Sequence, residues 1–144
     1  MTGEGAARTG GCLCGAVRFD AVPEKPEIDA CHCSRCRRWS GGVFLSVPCG
    51  TSLDVRGGDA LGVHRMSDYG ERLFCRTCGS SIAWRMQDGS MSAVAFQAFD
   101  DQSGLVFAEE IFIDDKPPHY SFANETRKLT GAQVMAQFAN EQGA

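Results

Sequence analysis

The sequence predicts a mainly β protein with a short C-terminal helix. Apolar and polar residues alternate in many short segments, a pattern typical of strands that bury one face. Glycine and proline separate these segments, and 17 of the 144 residues are glycines. Helical spacing is confined to the C-terminus, where Thr130 and Gln133 form a capping pair before Val134, Met135 and Phe138. These observations predict short antiparallel sheets joined by tight turns.

This alternation predicts the individual strands. In residues 16–21, Val17 and Phe19 oppose Arg18 and Asp20. Residues 28–33 are short and extended, and 114–120 form an extended connection because of the paired prolines at 117–118. Further strands are expected at 43–47, 51–55, 61–66, 71–74, 82–86, 91–99 and 105–113. We expect a flexible N-terminus at 1–9 and one domain over 10–144.

Composition excludes several classes of function. The formal net charge of -4 argues against a nucleic-acid partner, because phosphate binding is driven by clustered positive charge. No segment approaches the roughly 20 apolar residues of a membrane-spanning helix. Residues 1–11 contain no apolar run typical of a secretory signal, so we expect a cytoplasmic protein.

The eight cysteines are the main chemical feature of the sequence. In a cytoplasmic protein, thiols stay reduced, so metal binding is favoured over a disulfide framework. The cysteines group as two, three and two, with Cys49 alone, and the seven clustered thiols divide into one four-ligand and one three-ligand site. The spacing leaves open which pairs combine, but alternation in an extended strand places Cys12 and Cys14 on one face. The clustered residues are Cys12 and Cys14, then Cys31, Cys33 and Cys36, then Cys75 and Cys78.

The central cluster is the candidate reactive site, because Cys31, Cys33 and Cys36 supply only three ligands. A structural zinc is closed by four protein ligands, whereas a catalytic zinc keeps one position open. Alternation turns His32 away from the thiols, and a surface position is expected for it. Ser34 is expected to cap a helical turn that returns Cys36 to the metal.

Three arginines follow this cluster, at Arg35, Arg37 and Arg38. They are candidate contacts for an anionic substrate; the alternative is a solvated basic turn. Cys49 is interpreted as a small buried group, with a fourth-ligand role as the alternative.

The last cluster, Cys75-Arg-Thr-Cys78-Gly79, has zinc-knuckle spacing. The glycine allows the left-handed turn that directs N–H groups at the sulfurs. A redox pair normally lies between a strand and a helix, whereas here a strand-like segment follows, so zinc is favoured.

The three ordered clusters resemble those of a known family. Gly-Gly-Cys-Leu-Cys-Gly-Ala-Val-Arg-Phe, Cys-His-Cys-Ser-Arg-Cys-Arg-Arg-Trp-Ser-Gly and Phe-Cys-Arg-Thr-Cys-Gly-Ser are similar to motifs of the glutathione-dependent formaldehyde-activating enzymes, which share a domain with centromere protein V. The resemblance extends from residue 10 to 120 and implies an Mss4-like zinc-binding fold. It further implies a structural zinc on one cysteine set and a catalytic zinc on Cys31, Cys33 and Cys36. The structural set it implies is Cys12, Cys14, Cys75 and Cys78.

The resemblance also implies an activity. The family's reaction is the condensation of formaldehyde with glutathione, which makes glutathione the expected co-substrate of a carbon-sulfur lyase. A zinc-stabilised binding module without turnover is the alternative. A third possibility is a redox sensor in which Cys31, Cys33 and Cys36 become oxidised. No general acid or base is identified from the sequence, and the oligomeric state stays open.

Overall fold

The fold is known from a computed structural model, which describes residues 6–143. Short β-strands dominate this part of the chain, and a helix closes it, as the sequence predicted. No helix in it is long and apolar enough to cross a membrane. Its strands and α-helices are β1 (Arg8–Gly11), β2 (Arg18–Ala21), β3 (Glu27–Cys31), α1 (Ser34–Ser40), β4 (Phe44–Pro48), β5 (Asp54–Arg56), β6 (Leu61–His64), β7 (Gly70–Cys75), β8 (Ser81–Met86), β9 (Ser92–Ala95), β10 (Val106–Ile111), β11 (Arg127–Leu129) and α2 (Gly131–Gly143).

The larger sheet has eight strands in the order β11-β10-β3-β4-β9-β8-β7-β6. Neighbouring strands from β6 to β9 are joined by short turns and pair antiparallel, as the sequence predicted. The pairs of β10 with β3 and with β11 are parallel. After β9 the chain crosses β4 and β3 before forming β10, and such a crossover permits a parallel pair.

The smaller sheet has three strands in the order β1-β2-β5. Its buried side chains and those of the larger sheet form one hydrophobic core. Its Phe19 is fully buried and meets Phe99 edge to face, with ring centroids 5.3 Å apart. Gly10 forms an isolated bridge with Phe99. Leu73 and Ile82 complete the centre of the core from the larger sheet. This packing holds the turn after β1 against the end of β7.

Three local predictions are wrong in detail. The strand predicted at 16–21 is β2 and begins only at Arg18, because the preceding residues form a turn in which Cys12 N–H donates to the carbonyl of Val17. Ser34 does not cap α1; Cys33 does, and its sulfur accepts the N–H of Cys36. The connection expected to be extended at 114–120 begins instead within a short 3-10 helix, Ile113–Asp115.

The closing helix α2 begins as predicted. Thr130 Oγ1 accepts the N–H of Gln133, and the Gln133 side chain accepts the N–H of Thr130, so the capping box is present. Met135 is half exposed, however, so it does not share the packed side with Phe138, which contacts Tyr69. Of the segment expected to be flexible, residues 1–5 lie outside the described chain, while Arg8 and Thr9 belong to β1.

Candidate metal centres and the adjoining cleft

Four cysteines meet where the smaller sheet touches the end of β7. This four-cysteine cluster consists of Cys12 and Cys14, from the turn after β1, with Cys75 and Cys78, from the turn between β7 and β8. All four sulfurs lie within 4.8 Å of one another. Cys14 Sγ is 3.7 Å from Cys12 Sγ and 3.8 Å from Cys75 Sγ. The fold thus brings together sulfurs that are 61 residues apart in sequence.

Backbone N–H groups surround these sulfurs. Val17 N–H donates to Cys12 Sγ at 3.2 Å, and Cys78 N–H donates to Cys75 Sγ at 3.4 Å. Gly79 has a φ of 82°, the left-handed conformation expected for the knuckle turn. Hydrogen bonds from the Ser80 side chain and backbone lower the pKa of Cys78 to about 5. Such donors favour thiolates over neutral thiols.

The second group, the three-cysteine cluster, consists of Cys31, Cys33 and Cys36, again within 4.8 Å of one another. Cys31 ends β3, Cys33 caps α1, and Cys36 lies in its first turn. The short helix therefore carries the third sulfur back to the first two. Hydrogen bonds from Cys31 and Cys36 lower the pKa of the Cys33 thiol, which favours a thiolate at that position.

The sulfur spacing fits a tetrahedral metal ion. Sulfurs about 2.3 Å from a tetrahedral zinc lie about 3.8 Å from each other. The measured separations of 3.7 and 3.8 Å in the four-cysteine cluster agree with this value. Soft thiolates also select zinc or related metals over hard cations. Both clusters could therefore hold a metal ion.

The two clusters differ in the number of ligands. In the described residues, no fourth ligand atom joins the three-cysteine cluster. Cys49 belongs to neither cluster; it is 1% exposed within the core, and burial raises its pKa to about 12. The interpretation of Cys49 as a small buried group is confirmed, and the fourth-ligand alternative finds no support in its position.

His32 is buried, so the surface position expected for it is wrong. Its backbone pairs with Ile111 of β10, which directs the ring between β10 and the 120–122 segment, where it is 0% exposed. Nε2 lies 2.8 Å from Glu110 Oε1, and Nδ1 lies 2.9 Å from the Tyr120 hydroxyl. Neither ring nitrogen belongs to the three-cysteine cluster, and both are taken up by Glu110 and Tyr120. The ring thus anchors the segment between Cys31 and Cys33.

Glu110 is the centre of this buried network. Besides His32, it accepts a hydrogen bond from the Thr126 hydroxyl at 2.6 Å, and Lys128 lies 3.8 Å away. Burial alone would raise the pKa of Glu110, but the bonds from Thr126 and His32 outweigh it and lower the pKa. The sequence offered no signal for this contact, because the partners come from distant strands.

Arg72 is a second contact that the sequence did not reveal. It is 5% exposed in β7, and both terminal nitrogens lie 3.8 Å from Cys36 Sγ. Its guanidinium carbon lies 4.8 Å from the centre of the Trp39 ring. Trp39 and Phe44 pack against the three-cysteine cluster, and their ring centroids lie 5.1 Å apart.

The three arginines of α1 have different environments. Arg37 is half-buried and donates to the carbonyls of His32, at 2.8 Å, and Asp115, at 3.3 Å. It therefore fixes the backbone beside the cluster. Arg35 and Arg38 are exposed on the helix. Arg18, which was not predicted from the sequence as a site residue, lines the neighbouring cleft and pairs with Asp100.

A cleft of about 700 Å³ is lined by Cys12 of the four-cysteine cluster and by aromatic residues that pack against the three-cysteine cluster. Its lining residues include Ser80, which follows Cys78 in the chain, and Trp39 and Phe44. Arg18 adds a charged group. The volume falls within the roughly 300–1,000 Å³ typical of small-molecule sites.

Comparison with known proteins identifies the family. Residues 7–115 match the family described as glutathione-dependent formaldehyde-activating enzyme. The chain belongs to this family. An uncharacterized lyase of Schizosaccharomyces pombe is 32% identical over 130 residues, covering 88% of this chain and 93% of its own. A Halomonas elongata protein, provisionally named as a glutathione-dependent formaldehyde-activating enzyme, is 33% identical over 82 residues, covering 51% and 52% respectively.

A solved structure supports the fold. A Rhodobacter sphaeroides protein superposes with a TM-score of 0.56 at 24% identity, over 64% of this chain and 87% of its own. At this identity the likeness establishes the fold alone. The resemblance to the family and the mainly β fold class predicted from the sequence are thus both confirmed.

Proposed function

We propose that this protein is a zinc-dependent carbon-sulfur lyase-type enzyme acting on glutathione adducts of formaldehyde or a similar small electrophile. The proposal is supported by family membership and by relatives named as a lyase and as a formaldehyde-activating enzyme. In the adduct-forming direction, the glutathione sulfur adds to the carbonyl carbon, and the thiol proton passes to the carbonyl oxygen.

One observation carries this proposal: the three-cysteine cluster offers three sulfurs where the four-cysteine cluster offers four. A metal held by three protein ligands has a position for a further ligand, whereas a metal held by four is closed. We therefore assign the structural zinc to the four-cysteine cluster and the reactive zinc to Cys31, Cys33 and Cys36. Zinc bound there would favour the thiolate form of glutathione, because a divalent cation depresses the pKa of a coordinated thiol.

The residues around the cluster have assignable roles. Arg37 and the buried His32 hold the backbone that carries Cys33. The exposed guanidinium groups of Arg35 and Arg38 are our candidates for binding the carboxylates of glutathione, because their planar forks match carboxylate geometry. The cleft beside Trp39 has room for a small peptide thiol.

The cellular setting follows from the same chemistry. All eight cysteines are free thiols in the structure, and seven of them belong to the two clusters. Thiols of this kind persist in a reducing compartment that also supplies glutathione. We therefore place the protein in the cytoplasm, with a small-molecule thiol and no nucleic acid as its partner.

Metal analysis with and without glutathione tests the proposal. We expect two zinc ions per chain in the wild type and one in Cys33→Ser. X-ray absorption at the zinc edge should show an added sulfur ligand when glutathione is supplied to the wild type. With labelled formaldehyde, NMR should show faster formation of S-hydroxymethylglutathione with the wild type than with Cys33→Ser.

Two results would contradict the proposal. A second zinc already coordinated by four protein sulfurs, with no response to glutathione, would favour the zinc-stabilised binding module. Loss of zinc on mild oxidation, without any adduct chemistry, would favour a redox sensor that uses the three-cysteine cluster.

A further inference from the structure

Arg72 is a buried cation with an unusual set of neighbours. Its two terminal nitrogens lie 3.8 Å from Cys36 Sγ, and its Nε lies 2.9 Å from Met66 Sδ. The plane of Trp39 covers the guanidinium at 4.8 Å. In the described residues, the hydrogen-bond and cation–π partners of the guanidinium are therefore two sulfurs and an aromatic ring, of which only the thiol can carry a full negative charge.

A buried arginine needs an anion, because its guanidinium does not lose its proton in proteins and an uncompensated buried charge is costly. In the described part of the chain, no carboxylate pairs with Arg72. The adjacent Glu71 is 3% exposed and pairs with Arg65 and Arg85 instead. The charge that compensates Arg72 is therefore the thiolate charge of the three-cysteine cluster.

We propose that Arg72 determines which ligand the three-cysteine cluster accepts, by making its open position favourable for an anionic sulfur rather than a neutral ligand. This inference rests on the proposed function for the presence of the metal. Three thiolates around a divalent cation leave one net negative charge, which would repel a further anion in a buried site. The guanidinium cancels that charge, so a thiolate can enter a neutral site.

Arg72 is thus a positioning and specificity-determining residue that acts through Cys36. The planar guanidinium makes two hydrogen bonds to one sulfur while it stacks on Trp39. Lysine would keep the charge but lose the fork and the stack, whereas methionine would keep much of the apolar stem without the charge. These two substitutions separate the effect of charge from that of packing.

Binding to the cobalt-substituted protein tests the inference. Sulfur-to-cobalt charge-transfer absorption is followed in the wild type, Arg72→Met and Arg72→Lys while glutathione or the neutral ligand imidazole is titrated. Arg65→Met is the control, because this arginine is exposed and pairs with Glu71. We expect Arg72→Met to weaken glutathione binding roughly tenfold to hundredfold, the range for losing a charge-assisted hydrogen bond. Imidazole affinity should stay within about twofold, and Arg72→Lys should be intermediate for glutathione.

Equal loss of both ligands in Arg72→Met, or no loss of either, would overturn the inference. If Arg72→Met no longer holds cobalt at the three-cysteine cluster, the Arg72→Lys variant decides between the two explanations. Retention of cobalt with intermediate thiol affinity would support a role for the charge. Loss of cobalt from this variant as well would indicate that Arg72 acts through packing alone, which overturns the inference. A second thiol, 2-mercaptoethanol, separates this result from the proposed function. If the wild type does not bind glutathione but binds 2-mercaptoethanol in an Arg72-dependent way, the proposed function fails and the inference stands.

Discussion

At the scale of single residues, buried charges and polar groups organise the three-cysteine cluster from two sides. Arg72 contacts Cys36 directly, while His32 and Glu110 hold the strand and loop behind Cys31 and Cys33. Each polar group has a partner, and no buried side-chain nitrogen or oxygen in the described residues lacks one. Removal of one partner leaves the other buried and unpaired, which is the costly case.

Glu110→Gln should destabilise the protein by about 1–3 kcal/mol, because the buried carboxylate loses charge-assisted bonds to Thr126 and His32. Urea unfolding at pH 7 measures the change, with Glu109→Gln as a partly exposed control. The lowered pKa of Glu110 gives a pH signature. Its stabilisation is fully present above the unfolded-state pKa of about 4.3 and is lost as the pH falls through the folded-state pKa.

The difference between wild type and Glu110→Gln should therefore narrow below about pH 4.3. A difference that stays constant with pH would show that the carboxylate charge is not the source of the stabilisation.

At the scale of elements, the position of the four-cysteine cluster depends on how closely β1 approaches the loop after β9. A Cβ placed on Gly10 would lie 2.3 Å from the Ala98 carbonyl oxygen and 2.4 Å from Cζ of Phe19. These contacts are far shorter than van der Waals distance, and one of them is to backbone. Glycine is required here for close approach rather than for an unusual backbone angle.

Gly10→Ala should destabilise the protein by about 1–3 kcal/mol, since β1 must shift away from the Ala98 carbonyl and the Phe19 ring. Thermal unfolding of the zinc-loaded protein measures the effect. Gly42→Ala is the matched control, because a Cβ there meets no atom within 4 Å and the backbone is not left-handed. Equal stability of the two variants would show that β1 can move without a loss of folding stability.

At the scale of the whole molecule, the two cysteine clusters differ in what they connect. The four-cysteine cluster joins the turn after β1 to the turn after β7, so it links the two sheets. The three-cysteine cluster lies within a short span of chain, from the end of β3 to the first turn of α1. A metal that closes a long loop removes more freedom from the unfolded chain than one that closes a short loop.

Cys75→Ala should therefore give little soluble folded protein, whereas Cys33→Ser should fold and lose one zinc. Soluble yield, circular dichroism and zinc stoichiometry compare the two variants under the same expression conditions. A soluble, fully zinc-loaded Cys75→Ala protein would contradict the structural assignment of the four-cysteine cluster.

The local features that were predictable from sequence are those set by neighbouring residues. Alternation gave most strands, and the Thr130–Gln133 spacing gave the start of α2. Cys12 and Cys14 were expected on one strand face, but they share a turn, because a hydrogen bond from Cys12 to Val17 bends the chain there. The two sulfurs are adjacent in either case, since both geometries bring residues i and i+2 together.

By itself, the sequence determined the mainly β fold class, the three cysteine groups and the likeness to the family, because these depend on residue type and spacing. Only the tertiary structure decided that Arg72 lies against Cys36 and that His32 is buried against Glu110. Arg72 and Cys36 are 36 positions apart in the sequence, and His32 and Glu110 are 78 positions apart. Local pattern carries no information on such pairs, because strand order and register decide which side chains meet.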